Sequence, residues 1–423
     1  MVPCYLRLRC CAMNESSIRY PGWRVAFACF AMTMFGFGFG FYGHSVYLAE
    51  LTARDGGDAP RFATSTVSAA VTAYYLSSAL IMVFTSDLMT RLGPRLLAMT
   101  GAAMMGVSLF LISRISSPAG LFVAYLAMAP AFAMLTNAAV ANILAPWFTE
   151  KRGLAMSLAL TGGGVGGAII VPTLVWLSAR LTFPTAVQVI AAVALPVLLL
   201  VIAIWILPPP AAYIRPGRIA LHGPSITRRS ALQSMHYWTI AGPLMLAIMV
   251  QVAFVVHQAA ILLPVLGLQG AASAVLLTAG MAAVSRIVMG LFVDRLDQRR
   301  LGAVLLGMQA MSLFAVAKFG TPSAVYIASA VFGFAVGVMI TLPALLIQRE
   351  FPPDVFGSLS GLTLAIIQTG NAFGPTLVGG LKDATGSYTT PIIICIGLEI
   401  LAAGLLLTRI GPARNYARAG SGK

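Results

Sequence analysis

Arg286 is the residue whose chemistry sets this sequence apart, because it lies inside the otherwise uncharged run 262–292. The next charge is Asp294, so at ~1.5 Å per residue a helix would hold the arginine about 12 Å inside the end of the run. A cation at that depth in a bilayer is costly unless it faces a water-filled cavity or meets an anion. The position predicts an anion site on a transport pathway. The alternative is an arginine that bonds to carbonyls of neighbouring helices and only holds them together.

The composition predicts an all-α membrane protein. Of the 423 residues, 59% are hydrophobic and 9% are charged, and the mean hydropathy is +0.90. Twelve apolar runs are long enough to span a membrane as helices, and their continuity excludes the short alternating strands of a β-barrel. The predicted spans are 24–48, 64–85, 94–113, 118–143, 153–178, 184–207, 237–265, 271–293, 301–319, 322–347, 357–381 and 389–408.

Charge placement predicts the orientation. With the N-terminus inside, twenty of the 27 Lys and Arg residues fall in cytoplasmic segments and six fall outside. This bias predicts that both termini are cytoplasmic. The net charge of +15 therefore reflects topology and predicts no nucleic-acid partner, since the cations are scattered over short segments. Short termini and the lack of extra domains favour the inner membrane of a bacterium.

The chain divides into two similar halves. A proline-rich stretch, 208–236, separates them, and Trp238 and His257 repeat the spacing of Trp23 and His44 approximately. Parallel halves with a substrate site at their interface are one known transporter plan. The predicted units are a cytoplasmic N-terminal segment 1–23, a first six-helix half 24–207, a central loop 208–236, a second half 237–408 and a cytoplasmic tail 409–423.

Three further ionisable residues lie in or near the predicted spans. His257 in span 7 is a candidate for proton coupling or a second substrate contact, since histidine titrates near neutral pH. A buried histidine bonded to a backbone carbonyl is the structural alternative. His44 has the equivalent place in span 1 and is predicted near the outer interface. Glu399 in span 12 is either a proton site or a protonated spectator.

Uncharged polar side chains complete the predicted substrate site. They lie in spans 2, 4, 7 and 11, where each one either lines the cavity or only joins helices, at about 0.6 kcal/mol per contact. These residues are Tyr75, Asn137, Gln258, Gln368 and Asn371. Glycines spaced four apart, as in the pairs 162/166, 163/167 and 370/374, predict close helix contacts that permit sliding.

Two loop sequences resemble the major facilitator superfamily. Gly290, Asp294 and Arg295, with basic residues behind them, match its Gly-x-x-x-Asp-Arg loop signature between spans 8 and 9. The resemblance implies that Asp294 and Arg295 tie inner helix ends together. The corresponding loop of the first half keeps Arg91, Gly93 and Arg95 but has Thr90 at the place of the aspartate, so that copy of the latch is degenerate.

Within that superfamily the chain looks most like the monocarboxylate and oxalate/formate branch. The resemblance rests on the glycine-rich run 36–43, on the entry into span 5 at 146–155 and on Arg286. It implies that Arg286 holds the substrate carboxylate, and a guanidinium has the planar donor fork for that task. Span 11 has Gln368 and Asn371 in the region where a dicarboxylate carrier of this type has a lysine. A single fixed cation favours a monocarboxylate.

The predicted function is secondary active transport of a small organic anion, with a coupled proton, by a monomer that needs no cofactor or metal. The alternative is a drug/proton antiporter or another exporter of the same fold, for which a buried acid in the first half is typical. An enzyme is not expected, because the chain has no HExxH, no GxSxG and no nucleotide-binding loop. A channel is disfavoured by the two-half plan.

Overall fold

The computed structural model describes residues 20–53, 61–148, 151–207, 227–290, 296–352 and 355–408, with Glu15, Ser17 and Phe292. Within these ranges the chain is α-helical apart from turns, short connections and one π-helical turn. Residues 20–207 are called the first half below, and residues 227–408 the second half.

The helices are numbered here by the span that each one forms. They are α1 Pro21–Leu51, α2 Thr64–Leu92, α3 Pro94–Ile112, α4 Pro118–Leu144, α5 Arg152–Ser178, α6 Phe183–Trp205, α7 235–266, α8 268–290, α9 Gln298–Lys318, α10 322–350, α11 Phe356–Thr385 and α12 Thr389–Leu407. A short helix, Arg228–Leu232, precedes α7. Helix α10 consists of two pieces, Pro322–Met339 and Leu342–Glu350.

The described helices account for the twelve predicted spans. Ten stretches are long and apolar enough to cross a membrane, and one of them, Met235–Met289, has 55 residues and therefore holds two spans. Helix α11 is outside that set of ten because polar and glycine residues lower its hydropathy, yet its 30 residues are enough to cross. An even number of spans puts both ends of the bundle on one side, called the terminal face; the opposite side is the distal face.

Glycines with positive φ mark three of the junctions. Gly93 (φ 80°) separates α2 from α3, and Gly386 (φ 71°) ends α11. Gly267 (φ 66°, ψ 176°) is the single non-helical residue between α7 and α8, so the connection there is shorter than the sequence predicts. Glycine lacks the Cβ that opposes this backbone conformation, which explains its place at each break. Prolines at the first helical position, as at Pro94 and Pro118, begin the next helix.

Close contacts between helices depend on glycines of α5 and α11. A Cβ added at Gly162 would overlap the Phe30 carbonyl oxygen of α1, and one added at Gly166 would overlap the Met34 carbonyl oxygen. Gly374 of α11 faces the backbone of α7 in the same way. The four-residue glycine spacing therefore brings α1 against α5 and α7 against α11, as expected for small residues at membrane helix interfaces.

A charged cluster joins four helices of the second half at the terminal face. Arg299 of α9 forms two hydrogen bonds to the Glu350 carboxylate of α10, at 2.6 and 2.8 Å. Its Nη1 donates to the Leu406 carbonyl of α12 (3.0 Å), and its Nη2, one of the two nitrogens bonded to Glu350, also donates to the Thr239 hydroxyl of α7 (3.0 Å). His236 lies 3.2 Å from the same carboxylate. This pairing compensates the burial of Arg299, which is only 4% exposed.

The glycine contacts give a first testable prediction. Gly166→Ala should lower the stability of the detergent-solubilised protein by about 1–3 kcal/mol, because α5 must move away from α1 or strain the contact. Gly280→Ala is the matched control, since a Cβ there meets no atom within 4 Å, and it should be neutral or stabilising by about 0.5–1 kcal/mol. Thermal unfolding of both variants is the measurement. Equal stability of the two variants would contradict the contact.

Candidate functional site

A π-helical turn in α1 shapes the centre of the bundle. It covers Gly38–Tyr42, in the middle of the glycine-rich run. A Cβ at Gly40 would lie 2.7 Å from the Tyr74 hydroxyl and 2.9 Å from the Phe132 ring, so only glycine fits there. The turn directs the Tyr42 ring against Gly167 of α5. Such turns occur often at functional sites, because they shift the side chains beyond them around the helix axis.

Arg286 of α8 bridges the two halves beside this turn. Its Nε donates to the Gly337 carbonyl of α10 (3.3 Å) and its Nη1 to the Leu160 carbonyl of α5 (2.7 Å). The guanidinium is close enough to the Tyr42 hydroxyl to act on it electrostatically. A guanidinium has five N–H donors, so three have no partner among the described residues. The side chain is half-buried, which leaves it accessible to a solute.

Both interpretations of Arg286 from the sequence find support in these contacts. The two carbonyl bonds are those expected of an arginine that holds helices together. The free donors, the partial exposure and the neighbouring Tyr42 hydroxyl are features expected of an anion site. One carbonyl belongs to each half, so a ligand that competes for these donors acts on the contact between the halves.

His257 of α7 lies away from Arg286, near the distal face, and is fully buried. Its Nε2 is 3.1 Å from the Pro375 carbonyl and 3.2 Å from the Ser68 hydroxyl, and its Nδ1 is 3.2 Å from the Tyr388 hydroxyl. A carbonyl can only accept, so the hydrogen bond to Pro375 assigns the proton to Nε2, and Nδ1 accepts from Tyr388. The ring thereby connects α2 of the first half with α11 and the start of α12.

Side-chain hydrogen bonds join α2 to α11 on both sides of His257. The Ser65 amide donates to the Asp383 carboxylate (2.7 Å), and the Thr72 hydroxyl lies 2.6 Å from that of Thr376. Thr72 also bonds to the Ala372 carbonyl. These contacts and those of His257 are called the distal seam below. Among the described residues, Arg286 makes the hydrogen bond between the halves that lies nearest the terminal face.

The other predicted cavity residues bond mainly within the second half. Gln258 donates to the Thr278 hydroxyl (2.8 Å) and is 3.4 Å from the Ser329 hydroxyl, which joins α7 to α8 and α10. Asn371 donates to Gln368 on the same helix (2.8 Å). The side-chain oxygens of Gln258 and Asn371 are buried without a partner in the described part of the chain. None of these hydrogen bonds reaches Arg286.

His44, which the sequence predicts near the outer interface, is enclosed by aromatic side chains of the first half. It is completely buried, and its ring centroid lies 4.8 Å from that of Tyr74 and 5.3 Å from that of Tyr125. The π-helical turn ends two residues before His44 and helps to set the direction of its side chain toward α2 and α4. Tyr75, predicted as a cavity residue, belongs to this group, with a centroid distance of 5.9 Å from His44.

Two further candidates are separate from these groups. Asn137 starts the second piece of α4 after a break at Thr136, and its side-chain oxygen is buried without a described partner. Glu399 is completely buried in α12, and neither carboxylate oxygen has a partner among the described residues. Helix α12 packs chiefly against α9 and against the α7–α8 pair.

Comparison with known proteins identifies the family. The model of the Major Facilitator Superfamily matches residues 25–375. The chain belongs to the major facilitator superfamily. Monocarboxylate transporter 13 of Rattus norvegicus is 25% identical over 336 residues, covering 76% of this chain and 75% of the relative. The corresponding protein of Bos taurus is 24% identical over 334 residues, covering 76% of this chain and 75% of the relative.

Solved structures show the same fold. The nucleoside transporter NupG superposes with a TM-score of 0.71 at 13% identity, over 92% of this chain and 98% of that one. A bacterial homologue of the human lysosomal transporter Spinster superposes with a TM-score of 0.67 at 13% identity, over 92% of this chain and 97% of that one. The predicted fold class and superfamily are therefore confirmed, and the chain is a transporter rather than an enzyme.

The signature loops of this facilitator are only partly described. Asp294 and Arg295 lie outside the described residues, and Gly290 is the last residue of α8. In the first half, Arg91 is exposed in the last turn of α2. Arg95 donates from Nε to the Ile206 carbonyl at 3.0 Å, which ties α3 to the end of α6 within one half. The predicted latch between inner helix ends stays a prediction.

Sequence reasoning missed three residues of this facilitator's central contacts. Tyr42 lies at Arg286, and Ser68 and Thr72 join the halves at the distal seam. A signal for Tyr42 is present, since it is the polar aromatic residue at the end of the run Gly-Phe-Gly-Phe-Gly-Phe-Tyr-Gly. Ser68 and Thr72 are four residues apart, hence on one helix face, but hydroxyls in apolar helices are too common to single out.

The distal seam gives a second testable prediction. His257→Ala removes three hydrogen bonds and should weaken the seam by about 1.5–4.5 kcal/mol, at a net 0.5–1.5 kcal/mol per bond. Spin labels at Ala63→Cys and Ala384→Cys, two exposed distal positions, should then show a longer mean distance and a broader distance distribution by pulsed electron paramagnetic resonance. The labels require a background without the 5 native cysteines.

His236→Ala is the matched control for this experiment, because that histidine contacts Glu350 at the terminal face. It should leave the distance distribution between the distal labels unchanged. An unchanged distribution in His257→Ala as well would show that the histidine does not hold the seam closed.

Proposed function

We propose that this superfamily member moves a small organic monoanion, a monocarboxylate, by alternating access together with a proton. The observation that carries the proposal is Arg286, a half-buried guanidinium with unbonded donors between the two halves. The likeness to monocarboxylate transporter 13 over most of the chain supports the same substrate class. We also propose that the protein acts as a monomer in the inner membrane of a bacterium, with both termini cytoplasmic.

Arg286 serves as the carboxylate site in this proposal. A carboxylate accepts two parallel N–H bonds from a guanidinium, and such charge-assisted bonds are roughly twice as strong as neutral ones. The Tyr42 hydroxyl, close to the same guanidinium, provides a further donor from the first half. The described residues place no second cation beside Arg286, which suits a substrate with one negative charge.

Substrate binding and opening are linked through the carbonyl bonds of Arg286. Without an anion, the guanidinium joins Leu160 of α5 to Gly337 of α10. A bound carboxylate competes for these donors and so changes a contact between the halves. The distal seam is closed in this structure, so the exchange of solute occurs from the terminal face, which the charge pattern assigns to the cytoplasm.

An exporter of cationic drugs is the alternative, and the buried acids argue against it. Glu399 is the one fully buried carboxylate in the described ranges, and it lies in α12 rather than near Arg286. A cationic substrate would meet the charge of Arg286 without a neighbouring acid to compensate it. The candidates for the coupled proton in this proposal are His257, His44 and Glu399.

The proposal predicts the effect of removing the guanidinium. Arg286→Ala should raise the KM for carboxylate exchange, or weaken binding, by about 10- to 150-fold, since a hydrogen bond to a charged group contributes about 1.5–3 kcal/mol. Arg286→Lys keeps the charge but loses the planar fork of donors, so its KM should lie between those of the wild type and Arg286→Ala. Counterflow of radiolabelled lactate and benzoate in proteoliposomes, against protein-free liposomes, is the measurement.

Arg61→Ala is the matched control, because Arg61 also donates to a backbone carbonyl, that of Ile115, but within the first half. It should exchange substrate as the wild type does. Stabilisation of the detergent-solubilised protein by the same acids separates binding from folding. If Arg286→Ala is stabilised by the acids and exchanges them normally, Arg286 is only a structural bridge.

A further inference from the structure

A closed group of aromatic side chains surrounds His44 inside the first half. Its members are Tyr47 of α1, Tyr74 and Tyr75 of α2, and Tyr125 of α4, each no more than 2% exposed. The centroid of the His44 ring lies 4.8 to 6.0 Å from theirs. These five residues are called the His44 cage below.

The polar atoms of the cage lack partners. The hydroxyls of Tyr47, Tyr75 and Tyr125 are buried without a hydrogen-bond partner in the described part of the chain. The His44 ring has the Gly40 carbonyl within reach, one turn before it on the same helix, but makes no hydrogen bond of ordinary geometry. A buried polar group left unpaired costs about 1–3 kcal/mol. Five such atoms in one place are therefore too costly to be explained by packing alone.

The hydroxyls also converge. Tyr74 interacts electrostatically with Tyr47, Tyr75 and Tyr125, and Tyr125 does so with Tyr47 and Tyr75. No hydrogen bond joins two of these hydroxyls in the described part of the chain, an arrangement that a small guest able to donate and accept hydrogen bonds would complete. Water fits this description, because it bridges two to four polar groups when buried.

We propose that the His44 cage is a hydrated proton-binding site and that His44 takes up the proton that moves with the substrate anion. This inference rests on the proposed function and assigns its coupling residue. Imidazole takes the proton on its free ring nitrogen, and both N–H groups then donate to water or to tyrosine oxygens. The Tyr125 ring, which stacks on the His44 ring at an interplanar angle of 27°, also stabilises the cation through its π face.

The bonding of His257 favours His44 over it as the proton site. The two ring nitrogens of His257 already bond to three groups, so protonation requires the Tyr388 hydroxyl to turn from donor to acceptor. In the His44 cage three hydroxyls, those of Tyr47, Tyr75 and Tyr125, are free to reorient. Only the Tyr74 hydroxyl is engaged in a hydrogen bond. His44 can therefore gain or lose a proton without breaking a contact between the halves.

Few other charges act on the cage. Arg286 on α8 acts on Tyr42, which lies on another face of α1. Glu50 is in the last turn of α1, and His257 is the titratable group in the distal part of α7, which packs beside the distal end of α1. Within the described residues none of these groups interacts electrostatically with the His44 ring. The charge of the cage is thus set by its own proton.

A hydrogen bond connects the cage to the substrate site. The Tyr74 hydroxyl donates to the Gly40 carbonyl at 2.6 Å, inside the π-helical turn that ends at Tyr42. A change in the cage that draws Tyr74 toward a protonated His44 acts on this carbonyl and so on the turn that holds Tyr42 at Arg286. Proton binding and anion binding are coupled through one turn of helix.

The test compares exchange with accumulation in proteoliposomes, with radiolabelled lactate and benzoate as probes. An inward gradient of two pH units sustains up to about 100-fold accumulation for one proton per anion, since one unit is 1.36 kcal/mol. His44→Gln should keep counterflow without a gradient but lose accumulation and the alkalinisation of the donor side. His236→Gln, a histidine at the terminal face, should accumulate like the wild type.

Four outcomes decide the matter. Accumulation by His44→Gln at the wild-type level overturns the proton site while leaving the carboxylate site intact. Exchange without accumulation by His44→Gln supports the proton site at His44. Absence of exchange in the wild type overturns the proposed function and this inference with it. Wild-type exchange that no gradient drives overturns the coupling and, with it, the proton site, but leaves the carboxylate site intact.

A second variant covers the case in which His44→Gln fails to fold. Tyr75→Phe combined with Tyr125→Phe keeps both rings and removes two of the unpaired hydroxyls, so packing is preserved. It should shift the pH dependence of accumulation relative to wild type. An unchanged pH profile would show that the cage hydroxyls do not serve the proton.

Discussion

The cost of an unpaired polar group away from water is the constraint on which this structure depends. In the hydrocarbon region each donor and acceptor must find its partner within the protein. The bonds of Arg286 to two carbonyls, the three contacts of His257 and the cluster around Arg299 each meet this requirement. They do so at different places: two join the halves and one joins helices of a single half.

Glycines decide where those bonds can form. Helices α1 and α5 approach so closely at Gly162 and Gly166 that no Cβ fits. Helix α5 also approaches α8 closely at Gly164, where a Cβ would lie 2.8 Å from the Ala279 carbonyl oxygen, and this contact brings the Leu160 carbonyl of α5 within reach of Arg286. The π-helical turn at Gly38–Tyr42 packs against the same part of α5. Backbone proximity is thus what allows a carbonyl, rather than a side chain, to be the resting partner of the buried cation.

The sequence predicts the depth of residues well and their direction around a helix poorly. Apolar runs and loop charges place the twelve spans within a few residues, because desolvation acts on whole segments. The direction of His44 around the helix axis depends on the π-helical turn of α1, because a single extra residue in a turn rotates the rest of the helix by about 100° at 3.6 residues per turn. The break at Gly267 and the seam contacts of Ser68 and Thr72 likewise depend on packing partners that no local pattern names.

The two ends of the interface between the halves differ in chemistry, and this difference bears on transport. The distal seam consists of neutral hydroxyl, imidazole and amide contacts with one exposed carboxylate. Each of these contacts therefore contributes a small, reversible share of the free energy that holds the halves together. The contact at Arg286 involves a full charge held by neutral carbonyls, which leaves much of its hydrogen-bonding capacity unused. A monoanion improves the second contact far more than the first. If the anion binds at Arg286, as we propose, it shifts the balance between closed and open arrangements through that contact, since a ligand changes an equilibrium only by the difference in its affinity for the two states.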